Sequence, residues 1–248
     1  AEAAPDALLP SAPERVELGE GTLLDRIEAR TVLVLASGPG GVSTGTGISL
    51  GDGYILTNQH VAGEGAEVLV LGAGLAQPVP AEIVKTEGPL AEVGADFSLL
   101  RIAEAGLPGF ALFTGTGSQR LMQVVAAGYP ADVLETDASF RALRNGDASA
   151  VPGLTVTDGI VNAEQELGSE TSVLLHSAAL SRGNSGGPLV DMCGRLLGIN
   201  TYVRKGPLQS RGVALSTADI REFLQGTGVD PALDDATCAP VVRRAGAE

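Results

Sequence analysis

Residues 177–202 read SAALSRGNSGGPLVDMCGRLLGINTY, with Gly183-Asn184-Ser185-Gly186-Gly187-Pro188 at the centre. A serine set between glycines, ahead of the apolar pair Leu189-Val190, places a small nucleophile on a tight turn at the mouth of a strand. Glycine tolerates positive φ there and lets a substrate backbone come close. The same turn can aim the backbone N–H groups of Gly183 and Ser185 at one point, where they would stabilise a developing oxyanion. A glycine-rich hairpin with an incidental serine would look the same locally. The decision therefore lies elsewhere in the chain.

A hydroxyl is a weak nucleophile at neutral pH unless a base takes its proton, and the base needs an acid to orient it. The chain has two histidines. His60 ends the stretch Tyr54-Ile55-Leu56-Thr57-Asn58-Gln59-His60, an apolar β-rich run. Asp96 stands in Gly94-Ala95-Asp96-Phe97-Ser98-Leu99, just ahead of another apolar strand. The order His60, Asp96, Ser185 supplies a base, its orienting acid and a nucleophile. His176 lies on a strand shortly before Ser185, where a packing or hydrogen-bonded role is expected.

These three segments resemble the trypsin-like (chymotrypsin-fold) serine proteases, and in detail the bacterial HtrA/Deg-type branch. Gly45-Thr46-Gly47-Ile48, Thr155–Val161 and Leu197-Gly198-Ile199-Asn200-Thr201 fit the same pattern, so the likeness runs from about residue 31 to about residue 224. The resemblance implies an all-β fold of two six-stranded antiparallel β-barrels with the active site between them, plus short N-terminal and C-terminal helices. It divides the chain into 1–30 (tail and short helix), 31–112 (first barrel, with His60 and Asp96), 113–225 (second barrel and C-terminal helix, with Ser185) and 226–248 (tail). It also implies roles. Ser185 attacks the scissile carbonyl, His60 shuttles the proton, Asp96 fixes the imidazole, and Gly183 and Ser185 form the oxyanion hole.

The likeness further places Ala179 at the base of the primary (P1) pocket, with Asn200, Thr201, Tyr202 and Gly212–Ala214, including Ala214, as its walls. Alanine offers no carboxylate to a basic P1 residue, so small or aliphatic P1 side chains are expected. Trypsin-type zymogens carry an aspartate just before the nucleophile, which receives a newly cut N-terminal ammonium. Neutral Asn184 stands there instead, and a buried ammonium without an anion is strongly disfavoured. Activation by N-terminal cleavage is therefore not expected. The loop 183–185 is expected to be ordered by its neighbours, with Tyr129–Gly153 as the candidate contact. The stretch after the last helix is too short for the PDZ domain usual in HtrA/Deg-type proteins, so control through one is not expected.

Composition agrees with many short strands joined by turns: 44% hydrophobic residues, 34 glycines and few aromatics in 248 residues. No apolar run reaches the length of a membrane-spanning helix. A net charge of −14 opposes partners that need a basic surface, such as nucleic acid or anionic lipid, and leaves polypeptide substrates as the expected partners. No metal or cofactor is expected, because the histidines and cysteines lack ligand spacing. Cys193 and Cys238 are the right number for one disulfide in an oxidising compartment, or are two free thiols in a reducing one. The opening Ala1-Glu2-Ala3-Ala4-Pro5 resembles a chain left after signal-peptide removal, so a periplasmic or secreted location is expected.

Along the chain, Leu23–Ala29 has helical apolar spacing and Asp52-Gly53 marks a hairpin. Ser216–Gln225 opens with Ser-x-x-Asp, a capping-box-like helix start. Tyr129–Gly153 reads as a long irregular insertion. Functions of other classes stay open at this point: a low-turnover chaperone-like or peptide-binding protein on the same fold, or a processing protease for one partner.

Overall fold

Runs of Val, Leu and Ile broken by glycine and Asp-Gly turns favour short antiparallel strands, and that is how the chain folds. The computed structural model describes residues 22–38, 41–63, 67–104, 106–168, 171–206 and 210–238. The tail read over Ala1–Glu20 and the end of the tail past residue 238 lie outside the described residues. Helix α1 (Leu23–Glu28) starts on a capping box, in which Thr22 and Asp25 each bond the other's backbone N–H, and it buries Ile27.

The first barrel is built from β1 (Thr31–Gly38), β2 (Gly41–Gly51), β3 (Tyr54–Thr57), β4 (Glu67–Leu71), β5 (Val79–Glu87) and β6 (Phe97–Ile102). They close in the order β1-β2-β3-β6-β5-β4, every pairing antiparallel. Asp52 and Gly53 turn β2 into β3 with φ of 50° and 77°, the positive values that a two-residue hairpin demands. Val32, Val34, Ile55, Val70, Leu100 and Ile102 fill the interior.

The crossover contributes the two-residue strand β7 (Leu112–Phe113). The second barrel follows as β8 (Gln123–Gly128), β9 (Thr155–Leu167), β10 (Thr171–His176), β11 (Pro188–Asp191), β12 (Leu196–Arg204) and β13 (Arg211–Ser216). The order β11-β8-β9-β10-β13-β12 returns to β11 through the β11–β12 pairing and closes the ring. Its antiparallel ring is extended at one edge by β7 and by β14 (Leu233–Asp234), which pair in parallel.

Among the described residues, six short helices decorate the barrels: α1, α2 (Gln59–Ala62), α3 (Leu90–Val93), α4 (Ala131–Leu134), α5 (Ala138–Arg144) and α6 (Thr217–Phe223). Only the terminal two were expected from the sequence. Tyr129–Gly153 is therefore not wholly irregular: α4 buries Leu134 and α5 is capped by Asp137 on the Phe140 N–H. Leu134 and Tyr129 pack against Leu33 and Leu71, so this second-barrel insertion rests on the outside of the first barrel.

The barrels meet through a shared core that contains Ile48, Leu56 and Leu99 from the first, Leu112, Leu196 and Ile199 from the second, and Phe223 of α6. Phe97 stacks on Phe223 with ring centroids 5.1 Å apart. The C-terminal segment is tied back as well. Cys193 and Cys238 form a disulfide, with Cα atoms 5.8 Å apart. Beside it, buried Arg195 pairs with Asp191 at 2.6 Å, bonds Asp234 and the Ala236 carbonyl, and lies over the Phe113 ring. No described helix is long and apolar enough to cross a membrane.

Candidate active site

His60 was expected on the turn after its strand; the structure places it in α2, whose single turn is anchored by buried Val61 and Ala62. Gly45 makes room for that anchor, since a Cβ there would fall 2.3 Å from Val61 Cγ1. Asp96 is buried at the start of β6. One carboxylate oxygen lies 2.6 Å from His60 Nδ1, and the other accepts the His60 backbone N–H at 3.1 Å. An ionised carboxylate can only accept, so Nδ1 carries the proton and Nε2 keeps its lone pair on a half-exposed ring. Buried Asn58 donates to the Asp96 carbonyl at 2.7 Å and to Thr201 Oγ1 at 3.1 Å, joining the first barrel to β12.

In the loop around Ser185, most backbone groups have a partner. The Arg182 carbonyl accepts the Ala131 N–H at 2.7 Å, and the Gly183 carbonyl accepts Thr46 Oγ1 at 2.7 Å. Asn184 N–H bonds Ser181 O, the Ser185 carbonyl takes Thr46 N–H, Gly186 N–H bonds Asn200 O, and Gly187 N–H bonds Asn184 O. Among the described residues, the Gly183 and Ser185 N–H groups have no acceptor. Gly183 has φ +96°, and a Cβ on it would strike the Tyr129 carbonyl at 2.3 Å. Gly186 would place a Cβ 2.0 Å from the Thr46 carbonyl, so only glycine lets these segments touch.

Ser185 Oγ donates to the Thr201 carbonyl at 3.0 Å. Among the described residues no hydrogen bond joins it to His60. The structure thus brings His60 and Asp96 into direct contact and turns the Ser185 hydroxyl toward β12.

The family model of the trypsin-like peptidase domain matches residues 45–199, which span all three of these residues. This chain belongs to that family. Among curated relatives, the magnetosome formation protease MamE of Paramagnetospirillum magneticum is 30% identical over 192 residues, covering 73% of this chain and 23% of the relative. A probable periplasmic serine endoprotease, DegP-like, of Pseudomonas fluorescens is 32% identical over 170 residues, covering 66% and 30%. The chain therefore spans less than a third of either relative. A crystal structure of the serine endoprotease from Yersinia pestis superposes with a TM-score of 0.64 at 26% identity, covering 82% of this chain and 64% of that one. The matched region is a serine endopeptidase domain with HtrA/DegP-type relatives.

In this trypsin-like peptidase the residues read as the P1 pocket do not share one environment. Ala179, expected at the base of the pocket, is instead exposed, and its carbonyl accepts Thr157 Oγ1. Asn200, Thr201 and Ala214 are buried, and Tyr202 is half-buried. Asn200 is fully engaged: its Nδ2 donates to the Pro188 carbonyl and its Oδ1 meets His176 Nε2 at 3.0 Å. Tyr202 instead borders a cleft of about 710 Å³ with Leu90, Val93, Leu167 and Thr171. Thr171 Oγ1 donates to the Gly94 carbonyl at 2.7 Å, a link from the second barrel to the loop that carries Asp96.

Sequence reasoning missed Thr46, Asn58 and Thr171 as supports. Thr46 and Asn58 stand inside stretches that resemble the family, which was the available signal. Thr171 carried none, because its partner is far away in sequence.

Proposed function

We propose that this domain is the catalytic unit of an exported serine endopeptidase that cleaves polypeptides through an acyl-enzyme. Ser185 Oγ leaves the Thr201 carbonyl by rotating about Cα–Cβ and attacks the scissile carbonyl carbon while His60 Nε2 takes its proton. Negative charge developing on the carbonyl oxygen meets the Gly183 and Ser185 N–H groups. Collapse of the tetrahedral species expels the amine, protonated by His60, and leaves the acyl group on Ser185. Water then repeats the sequence with His60 as base. Asp96 holds the tautomer that leaves Nε2 free and offsets the imidazolium charge. Asn200, Thr201 and Ala214 border the P1 side chain, with Ala179 at the exposed end, and that side chain is small or aliphatic.

One observation carries this reading: in the loop 181–187 the N–H groups of Gly183 and Ser185 have no acceptor among the described residues, while the carbonyls of Arg182, Gly183, Asn184 and Ser185 are engaged. A periplasmic or secreted location is supported by the disulfide and by the DegP-like relative, named as periplasmic. A second reading, a low-turnover chaperone-like or peptide-binding protein, is favoured by the Ser185 hydroxyl bonding Thr201 instead of His60. A fluorophosphonate probe separates the two. The endopeptidase labels rapidly at Ser185 and not at all as Ser185→Ala; a binder leaves both proteins unlabelled.

A further inference from the structure

The second histidine has no part in the mechanism, yet it packs against residues read as walls of the P1 pocket. His176 is fully buried at the end of β10, where it pairs with Gly212 of β13. A methyl group on Gly212 would fall 2.2 Å from His176 Cε1 and 2.9 Å from Leu180 Cδ1. The imidazole and the Leu180 side chain therefore occupy the space that a side chain on this pocket wall would fill. Gly212, Asn200 and Ala214 are all positions read as walls of the P1 pocket, and the ring touches two of them.

The ring is held in one state. Asn200 Nδ2 donates to the Pro188 carbonyl at 2.9 Å, which turns Oδ1 toward His176. His176 Nε2 must then be the donor in the 3.0 Å contact. Burial disfavours the charged ring and pulls its pKa down to about 4, so it stays neutral at physiological pH. Nδ1 is consequently a bare lone pair, buried and without a partner among the described residues. A buried polar atom left unpaired is costly and calls for a reason to be there.

We propose that His176 is a specificity-determining residue whose ring closes the base of the P1 pocket, so that the enzyme takes short P1 side chains such as alanine, valine, serine or threonine. This rests on the P1-pocket reading above and sharpens it. Longer side chains meet the ring and Leu180. Acidic ones meet a lone pair with no donor, and a lysine ammonium would be buried beside a neutral acceptor with no anion. Charged side chains are thus excluded by desolvation as well as by shape.

The test is kcat/KM over one peptide frame with P1 as Ala, Val, Thr, Leu, Phe, Lys or Glu. One methylene in a closed pocket is worth about 10–200-fold. The wild type should accordingly fall at least about tenfold from Val to Leu. His176→Thr keeps a donor for Asn200 Oδ1 while removing the ring, and should raise the Leu-to-Ala ratio by about 10–100-fold. His176→Phe keeps the ring volume and should leave that ratio at the wild-type value. A wild type that prefers Leu, Phe, Lys or Glu overturns the proposal, whatever the variants do. So does a His176→Thr protein that labels with fluorophosphonate but keeps the wild-type profile, or a His176→Phe protein that shifts as far as His176→Thr. Ala179→Asp distinguishes the two levels of failure. If it gains activity on Lys while His176→Thr changes nothing, the pocket stands and His176 is not its floor. If neither substitution moves P1 preference, the pocket reading itself has failed.

Discussion

The two halves of the site are built on different principles. In the first barrel, His60 and Asp96 sit on adjacent elements, and the Asp96 carboxylate binds both the ring and the backbone of the same histidine. The contact between the pair is made within the first barrel, and the second barrel touches only its surroundings, through Thr171 on Gly94 and Thr201 on Asn58. In the second barrel, the Ser185 loop is held from outside, by Thr46 of the first barrel and by Ala131 of an insertion that packs on the first barrel. In the proposed roles, the acid–base contact is thus made locally, whereas the Ser185 hydroxyl and the Gly183 and Ser185 N–H groups are positioned mainly by contacts between barrels. Misplacement of about 1 Å at such a junction can cost about 100-fold in rate, so the junction is where activity is most easily lost.

The largest expected effect tests whether the two halves act as one machine. Ser185→Ala, His60→Ala and the double variant should each lose about 10⁶ in kcat, with little further loss in the double. Losses that multiply would mean independent groups and would dissolve the comparison. Next comes the disulfide, which lies at the far end of β11 from Ser185. In the chain-entropy picture, Cys238→Ser should lower stability by about 4 kcal/mol, read from denaturant melts. Labelling of Ser185 should be unchanged in that variant. A collapse of labelling would place the support of the nucleophile loop on the tail side instead of the first-barrel side.

Thr46→Val sharpens the contrast further. It strips the partner from the Gly183 carbonyl and from the Tyr129 N–H, both buried. Loss of a positioned oxyanion donor costs about 10²–10³ in kcat, and that range is expected here, with KM little moved. Retention of wild-type kcat would show that the loop keeps its shape without the first barrel.

The smallest effect concerns stability alone. Asp219, at the start of α6, is pushed up to about 6 by burial, against 3.8 for a free carboxyl, and the hydrogen bonds from Ser216 and Ser172 only partly oppose this. Its folded state holds the proton longer than the unfolded state does. The associated stability is therefore present below about 3.8 and lost as pH rises through about 6. Asp219→Asn should flatten the fall in Tm across that window; an identical slope in the variant would rule Asp219 out as its source.

Much of this was legible in the sequence, and the limits have physical causes. Strands such as Thr31–Gly38 and Phe97–Ile102 declare themselves by apolar runs, and the Asp52-Gly53 turn by its demand for positive φ. The Ser216 cap and the Thr22 box sit at the helix starts that local spacing marks. Helix α4 was hidden because four residues are too few to show a period, and α5 because, unlike the equally long α6, it buries none of its residues and so carries no fully buried apolar stripe. Strand β14 was hidden because two residues pair only where β7 and Arg195 receive them. Thr46 and Thr171 act on partners 137 and 77 residues away, a distance that no local pattern reports. The direction of the Ser185 hydroxyl is a rotamer, fixed by its bond to the Thr201 carbonyl beside a register shift in β12, and the order of residues in the chain does not report it.

The central claim is that the nucleophile loop is already shaped for an oxyanion and that only the Ser185 hydroxyl must move. A crystal structure with a peptide boronate bound covalently to Ser185 tests it most directly. The account predicts a boronate oxygen within hydrogen-bond distance of the Gly183 and Ser185 N–H groups and Ser185 Oγ swung off the Thr201 carbonyl. It also predicts that the Ala131-to-Arg182 and Thr46-to-Gly183 bonds stay as they are. A flipped Arg182–Gly183 peptide, with those bonds broken and the N–H groups newly turned inward, would contradict it.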